Sequence, residues 1–187
     1  MGELGWELYV PTEFTLHVYD KLVAAGGDVG LKHAGFQVLD TLRLEKAYRD
    51  YGHDIDNTDT PLEAGLGFAV AFDKPGGFIG RDALLRQKEA GILQYRLVQF
   101  LLEDPEPLLY GGEPIYWEGN RVGHLEGGGY GHTLGGSVGL GYVRRDEGVT
   151  ADFIKNGRFE IEVVGQRYPA KASLRPLYDP KGLKVRA

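Results

Sequence analysis

Cysteine is absent from the 187 residues. Disulfides, thiolate nucleophiles and cysteine-ligated metals are therefore excluded, and the usage fits a reducing compartment. Long apolar runs are missing as well. The run FAVAF, residues 68–72, is far short of the ~20 residues a membrane helix takes. Basic clusters are scarce: the longest basic run is the pair Arg144-Arg145. Lys and Arg number 21 against 27 Asp and Glu, for a net charge of −6. That balance favours solubility and argues against a nucleic acid as partner, and the short apolar runs argue against a membrane. Serine occurs only at Ser137 and Ser173, neither in a nucleophile-elbow context. There is no P-loop lysine. The stretch GLGFAV lacks the third glycine and the following helix of a dinucleotide fingerprint.

Glycine is abundant, at 29 residues, roughly double the ordinary ~7%. Many glycines cluster in EGGGYGHTLGGSVGLGYV, residues 126–143. Aromatic and β-branched residues are interleaved there, so the stretch reads as tight turns between short strands. The apolar fraction, 42%, suits a globular chain long enough to bury a real core.

The N-terminal half alternates strand-like and helix-like patterns. WELYV, residues 6–10, predicts a strand with Trp6, Leu8 and Val10 on one face. The next segment predicts a helix with Thr12 as N-cap, Glu13 in its first turn and an end at Gly26-Gly27. Its apolar stripe comprises Phe14, Val18, Leu22 and their neighbours Tyr19 and Val23. AGFQVLDTLRLEKA, residues 34–47, predicts a second helix. The segment ending in FAVAF is strand-like, and GGFIGRDALLRQKEAG is a loop and a short helix closed by Gly91. From about residue 93 onward, short strands separated by glycine turns predict a small all-β barrel or sandwich. WEGNRV predicts a hairpin turning at Glu118-Gly119-Asn120. The fold class is α+β, divided into residues 1–92 and 93–187.

Two clusters could carry chemistry. In GELGWE, Glu3 and Glu7 flank Gly5, and the glycines suggest a bend that aims one carboxylate into a pocket. A carboxylate can accept two parallel N–H donors, and the 2-amino-4-oxo edge of a pterin offers such a pair. The other reading is an exposed strand glutamate. YRDYGHDIDNTDTP carries His53, Asp54, Asp56 and Asp59, residue types that suit a metal. The spacing fails the Ca²⁺-loop template, and aspartates dominate turns for local reasons, so no metal is expected. The remaining histidines, including His17 in the first helix, are scattered.

The pieces GELGWELYVP, LDTLRLEKAYRDYGHDIDNTDTPLEAGLGFAV, FIGRDAL and NRVGHLEGGGYG…SVGLGYV resemble the folate-binding aminomethyltransferase family, the T-protein of glycine cleavage. FIKNGRFEIEVVGQRYPAKASLRPLYDP resembles the C-terminal region of sarcosine and dimethylglycine dehydrogenases, which carry this module after an FAD domain. The resemblance implies the second half of the folate-binding module, followed by a small C-terminal antiparallel β-barrel. It implies tetrahydrofolate as cofactor, with FAD confined to a preceding domain. An iminium made by the flavin would be trapped by N5 and N10 of folate as the 5,10-methylene form.

The last glutamate of the family's G-E-x-G-x-E motif holds the pterin; that position is Glu7. Tyr178 in PLYDP is the nearest match to a family tyrosine that reaches folate; the alternative is an ordinary packed aromatic. The family has a folate-contacting arginine where this chain has Leu39. Arg43 matches a motif-internal arginine, and an ion pair with Asp40 or Glu45 is the stronger reading. No catalytic residue is assigned, because the family's acidic residue lies in a first half not represented here. The resemblance thus leads to expectations of a truncated chain, a misplaced start or a subunit needing a partner. They include inactivity alone and self-association through uncovered apolar surface. The parent protein would be a sarcosine/dimethylglycine dehydrogenase or an aminomethyltransferase. Alternatives are a piece of a stand-alone aminomethyltransferase, or a regulatory relative like the pyruvate dehydrogenase phosphatase regulatory subunit. Bacterial cytoplasm and mitochondrial matrix both fit.

Overall fold

The computed structural model describes residues 4–186. Its centre is a closed antiparallel barrel of six strands in the order β1-β4-β3-β2-β5-β6. The strands are β1 (Tyr95–Leu102), β2 (Pro114–Trp117), β3 (Asn120–Gly131), β4 (Gly136–Arg144), β5 (Phe159–Val163) and β6 (Gln166–Ser173). Closure leaves no open sheet edge to pair with another chain. Alternation along the strands puts Phe100, Ile115, Leu125, Phe159 and Ile161 in the barrel core, all buried. The rings of Phe100 and Phe159 meet edge to face at 5.7 Å. The predicted hairpin forms between β2 and β3, with Trp117 paired to Asn120. Glu118 (φ 47°) and Gly119 (φ 82°) make the two-residue turn, and the positive φ at both matches the twist of the strands.

The sequence reading placed no helix after residue 93, yet α4 (Ala151–Asn156) lies between β4 and β5. The Thr150 hydroxyl caps it, taking the Phe153 N–H at 3.1 Å. Six residues are too few for a helical period to be read. The helix nevertheless adds Phe153 and Ile154 to the barrel core.

The N-terminal half contributes α1 (Thr15–Gly26), α2 (Val38–Glu45) and α3 (Arg81–Ala90). Thr12 does not cap α1; it opens a 3-10 turn, Thr12–Phe14, that leads into the helix. After Gly26 the chain tightens into another 3-10 turn, Gly27–Val29, before Gly30 turns left-handed. Gly91 closes α3 as expected, in the left-handed conformation. Two expected strands do not form. Trp6–Val10 carries the alternation but no pairing, and FAVAF lies in turns around a 3-10 turn, Gly67–Ala69. Alternation selects a face; a strand also needs a neighbour to take its N–H and C=O groups. The barrel saturates its own strands and offers neither segment an edge.

The helix α2 lies on the outside of the barrel, against β3 and β4. Leu44 and Ala47 join Leu97, Val138, Leu140 and Tyr142 in a second apolar cluster. β4 is thus buried along eight of its nine residues. The glycines of residues 126–143 lie mostly within β3 and β4 rather than in turns. A Cβ at Gly129 would stand 3.4 Å from Leu44 Cδ1 and from Thr41 Cγ2. One at Gly131 would stand 3.1 Å from the Glu45 side chain. Alternate glycines strip one face of β3 bare, and α2 settles onto it.

Candidate functional site

Glu7 sits in the unpaired N-terminal segment and is exposed. Tyr9 donates its hydroxyl hydrogen bond to Glu7 Oε2 at 2.8 Å. A carboxylate offers about four acceptor positions, so the rest of this one is open to a ligand's N–H groups. Glu3 lies outside the described residues. Its chain neighbours are apolar and uncovered: Trp6 is 88% exposed and Tyr9 91%. Of the predicted stripe, Phe14, Tyr19 and Leu22 are exposed while Val18 and Val23 are half-buried, and Leu16 beside it is exposed as well. Exposed large apolar side chains, where they gather into one patch, mark interaction surfaces.

The second element is the end of α2, residues 43–47. Arg43 pairs with the buried carboxylate of Asp54 and with Asp40, 3.2 Å away. The expected partner Asp40 is present; the expected alternative, Glu45, is engaged elsewhere. Glu45 Oε1 accepts the backbone N–H groups of Thr133 at 2.7 Å and Leu134 at 2.8 Å. It thereby anchors the β3–β4 connection. Lys46 reaches Asp179 at 3.0 Å, bridging α2 to the C-terminal tail. Leu39, where the family carries an arginine, is half-buried.

The aspartates of residues 54–59 work locally. Asp54 accepts the Asp50 N–H at 2.8 Å. Burial pushes its carboxyl above the usual range, against the pull of the Asp50 N–H and Arg43. Asp56 accepts from Thr58 N and Oγ1 at 2.6 and 2.7 Å, which holds its carboxyl low. Asp59 accepts the Asp56 N–H at 2.9 Å. His53 pairs with Asp50 at 3.2 Å. Each has a turn-making partner, and no group of three or more metal-ligating side chains gathers among the described residues.

Tyr178 is half-buried just beyond β6. Its N–H donates to the Glu45 carbonyl at 3.3 Å, and Lys46 Nζ lies 5.5 Å from its ring centroid. Gln99 completes the anchorage from β1. Its Nε2 donates to the carbonyls of Leu44 (2.6 Å) and Glu45 (3.1 Å), and its Oε1 accepts the Leu177 N–H (2.8 Å). Tyr178 is therefore tied to the RLEK motif, whereas Glu7 has its neighbour Tyr9 as its one hydrogen-bond partner among the described residues. A cleft of about 1580 Å³ lies along β5, β6 and α4 and includes neither residue.

The sequence reading missed Lys46, Gln99 and Asp179. The only signal was the recurrence of RLEKAYR and YDP in one chain; their contact spans 133 residues.

Comparisons with known proteins agree with this architecture. Residues 1–74 match the family model of the GCVT N-terminal domain, and residues 96–179 match the glycine cleavage T-protein C-terminal barrel domain. The chain is 46% identical over 186 residues to a 4-methylaminobutanoate oxidase (formaldehyde-forming) of Paenarthrobacter nicotinovorans, covering 100% of this chain and 22% of that one. It is 39% identical over 188 residues to the mitochondrial sarcosine dehydrogenase of Homo sapiens, covering 100% of this chain and 20% of that one. Aminomethyltransferases, dimethylglycine dehydrogenases and a pyruvate dehydrogenase phosphatase regulatory subunit are also similar. Among solved structures, the glycine cleavage aminomethyltransferase T of Bartonella henselae superposes with a TM-score of 0.71 at 26% identity, over 86% of this chain and 43% of that one. The chain spans about a fifth of the length of the first two relatives.

Proposed function

The chain belongs to the glycine cleavage T-protein family, and on that premise we propose that it supplies part of a tetrahydrofolate site. The parent protein we infer is an FAD-dependent N-methyl amine dehydrogenase of the sarcosine or dimethylglycine type. Residues 1–92 bring the pterin-reading carboxylate, and residues 93–187 bring the barrel and the tail that carries Tyr178. Bound folate supplies the acceptor for a one-carbon unit. The chain's own residues bind and orient it. Glu7 accepts the paired N–H donors of the pterin edge, and Tyr178 contributes a second contact. The observation that carries the reading is the state of Glu7: exposed, outside any sheet, with Tyr9 as its hydrogen-bond partner.

The residues present suit the folate and not the flavin. An open carboxylate beside exposed aromatic rings matches a flat, N–H-bearing heterocycle. No dinucleotide fingerprint occurs in the sequence, so FAD belongs to a different part of the parent protein. The uncovered apolar side chains of Trp6 and Tyr9 offer a surface against which the rest of the folate module packs.

The test is calorimetric titration of tetrahydrofolate under anaerobic conditions. A charge-assisted hydrogen bond is worth about 1.5–3 kcal/mol, so Glu7→Gln weakens binding by roughly 10- to 100-fold. Unchanged affinity in Glu7→Gln would remove the pterin role. A second, non-catalytic reading rests on the 42% identity to the Mus musculus pyruvate dehydrogenase phosphatase regulatory subunit. It is favoured if the unmodified protein binds no folate.

A further inference from the structure

We propose that Lys46 is a positioning residue, which fastens the C-terminal tail to the end of α2 and so sets the placement of Tyr178. The proposal rests on the folate reading of Tyr178 given above. Lys46 and Asp179 form an ion pair at 3.0 Å, with side chains only 3% and 8% exposed. Asp179 in turn organises the tail: its carboxylate accepts the N–H groups of Leu183 at 2.8 Å and Lys184 at 3.0 Å. Tyr178 is held between these anchors, its N–H on the Glu45 carbonyl and its ring 5.5 Å from the Lys46 ammonium.

Two features separate this pair from ordinary packing. First, both sides of it are left-handed at non-glycine residues, Ala47 with φ 52° and Asp179 with φ 45°. Such conformations persist only where the surroundings over-determine them, and they gather at functional sites. Second, a buried ion pair is a poor device for stability alone, because desolvating two charges offsets most of their attraction. Apolar side chains of similar size would hold the tail as firmly. What the charges add is register: Asp179, and not a neighbour, must meet Lys46. A shift of one residue in the tail would move Tyr178 off its place. The cation also faces the ring, an arrangement that favours one ring orientation.

The experiment is a double-mutant cycle read by tetrahydrofolate titration of the protein, Lys46→Met, Tyr178→Phe and the double variant. Thermal melts establish that each variant folds, and Asp179→Asn replaces Lys46→Met if the latter does not. If Lys46 acts through Tyr178, each single change weakens binding about tenfold, and the double variant binds no worse than Tyr178→Phe, since coupled sites are non-additive. Lys46→Arg, which keeps the cation, restores most of the affinity. Additive losses overturn the proposal, as does wild-type affinity in Lys46→Met beside a weakened Tyr178→Phe. The latter outcome leaves the folate role of Tyr178 standing. Unchanged affinity in Tyr178→Phe removes that role and the positioning role with it, while Glu7→Gln still tests the pterin contact.

Discussion

Gly127 of β3 lies directly beneath the buried carboxylate of Asp54. A Cβ built at Gly127 would stand 2.9 Å from Asp54 Oδ1 and 3.5 Å from an Arg43 guanidinium nitrogen. The Arg43–Asp54 pair occupies the space that a side chain would fill. Loop, helix and barrel meet at this point, and the missing side chain makes the meeting possible.

Gly127→Ala therefore presses a methyl group into a charged pair that has nowhere to go. Overpacking of this kind costs about 1–3 kcal/mol. A urea denaturation series should show the midpoint falling with an unchanged slope. A midpoint equal to that of the unmodified protein would mean that α2 can lift away from β3 freely.

Arg43→Met removes the cation and leaves Asp54 buried without it. Breaking one side of a buried pair costs about 3–5 kcal/mol at neutral pH. The pH dependence follows from the direction of the Asp54 shift. Burial already raises its folded pKa above the ordinary carboxyl value of 3.8, and losing Arg43 raises it further. A raised folded carboxyl pKa gives stability that is fully present below 3.8 and lost as pH climbs through the folded value. The deficit of Arg43→Met should thus be smallest in acid and grow towards neutrality. Melting temperatures of the two proteins across that range should diverge with rising pH; parallel curves would place the Asp54 charge elsewhere.

Glu118 occupies the first of two positive-φ positions in the β2–β3 turn, where asparagine followed by glycine is preferred. Its side chain is exposed and makes no ion pair among the described residues. Glu118→Asn should stabilise by about 0.5–1 kcal/mol, a rise of roughly 1–4 °C in Tm for a chain of this size. A fall in Tm would show that the turn is not held in this form.

The apolar face of α1 and the N-terminal segment should drive association in solution. Sedimentation velocity should give a species larger than 20.6 kDa at micromolar concentration. Leu16→Lys and Tyr9→Lys should shift it towards the monomer. A monodisperse monomer before substitution would mean that the face is covered by the chain itself.

Much of the fold was legible because its signals are local. Gly119 and its neighbours announced the hairpin, Gly91 the end of α3, and the short alternating runs after residue 93 a small all-β barrel or sandwich. The family likeness was carried by contiguous motifs. It pointed to Glu7 and Tyr178 as folate contacts but gave neither a partner. Trp6–Val10 misled, since alternation marks a face that can be buried and says nothing of whether an edge is available. Short α4 was invisible for want of a full period.

The sequence by itself determined the short strands after residue 93, the glycine that closes α3 and the family motifs, because each depends on near neighbours along the chain; barrel closure by the β1–β6 pairing was decided by the tertiary structure. Only the tertiary structure decided what the strand glycines are for, and which charges meet. Gly127, Gly129 and Gly131 look like turn residues until α2 is laid across them. Lys46 looks like a surface lysine until the tail returns, 133 residues later, to place Asp179 against it. Chain propensity is set locally, whereas the desolvation that forces buried charges to pair acts only after distant segments close the space around them.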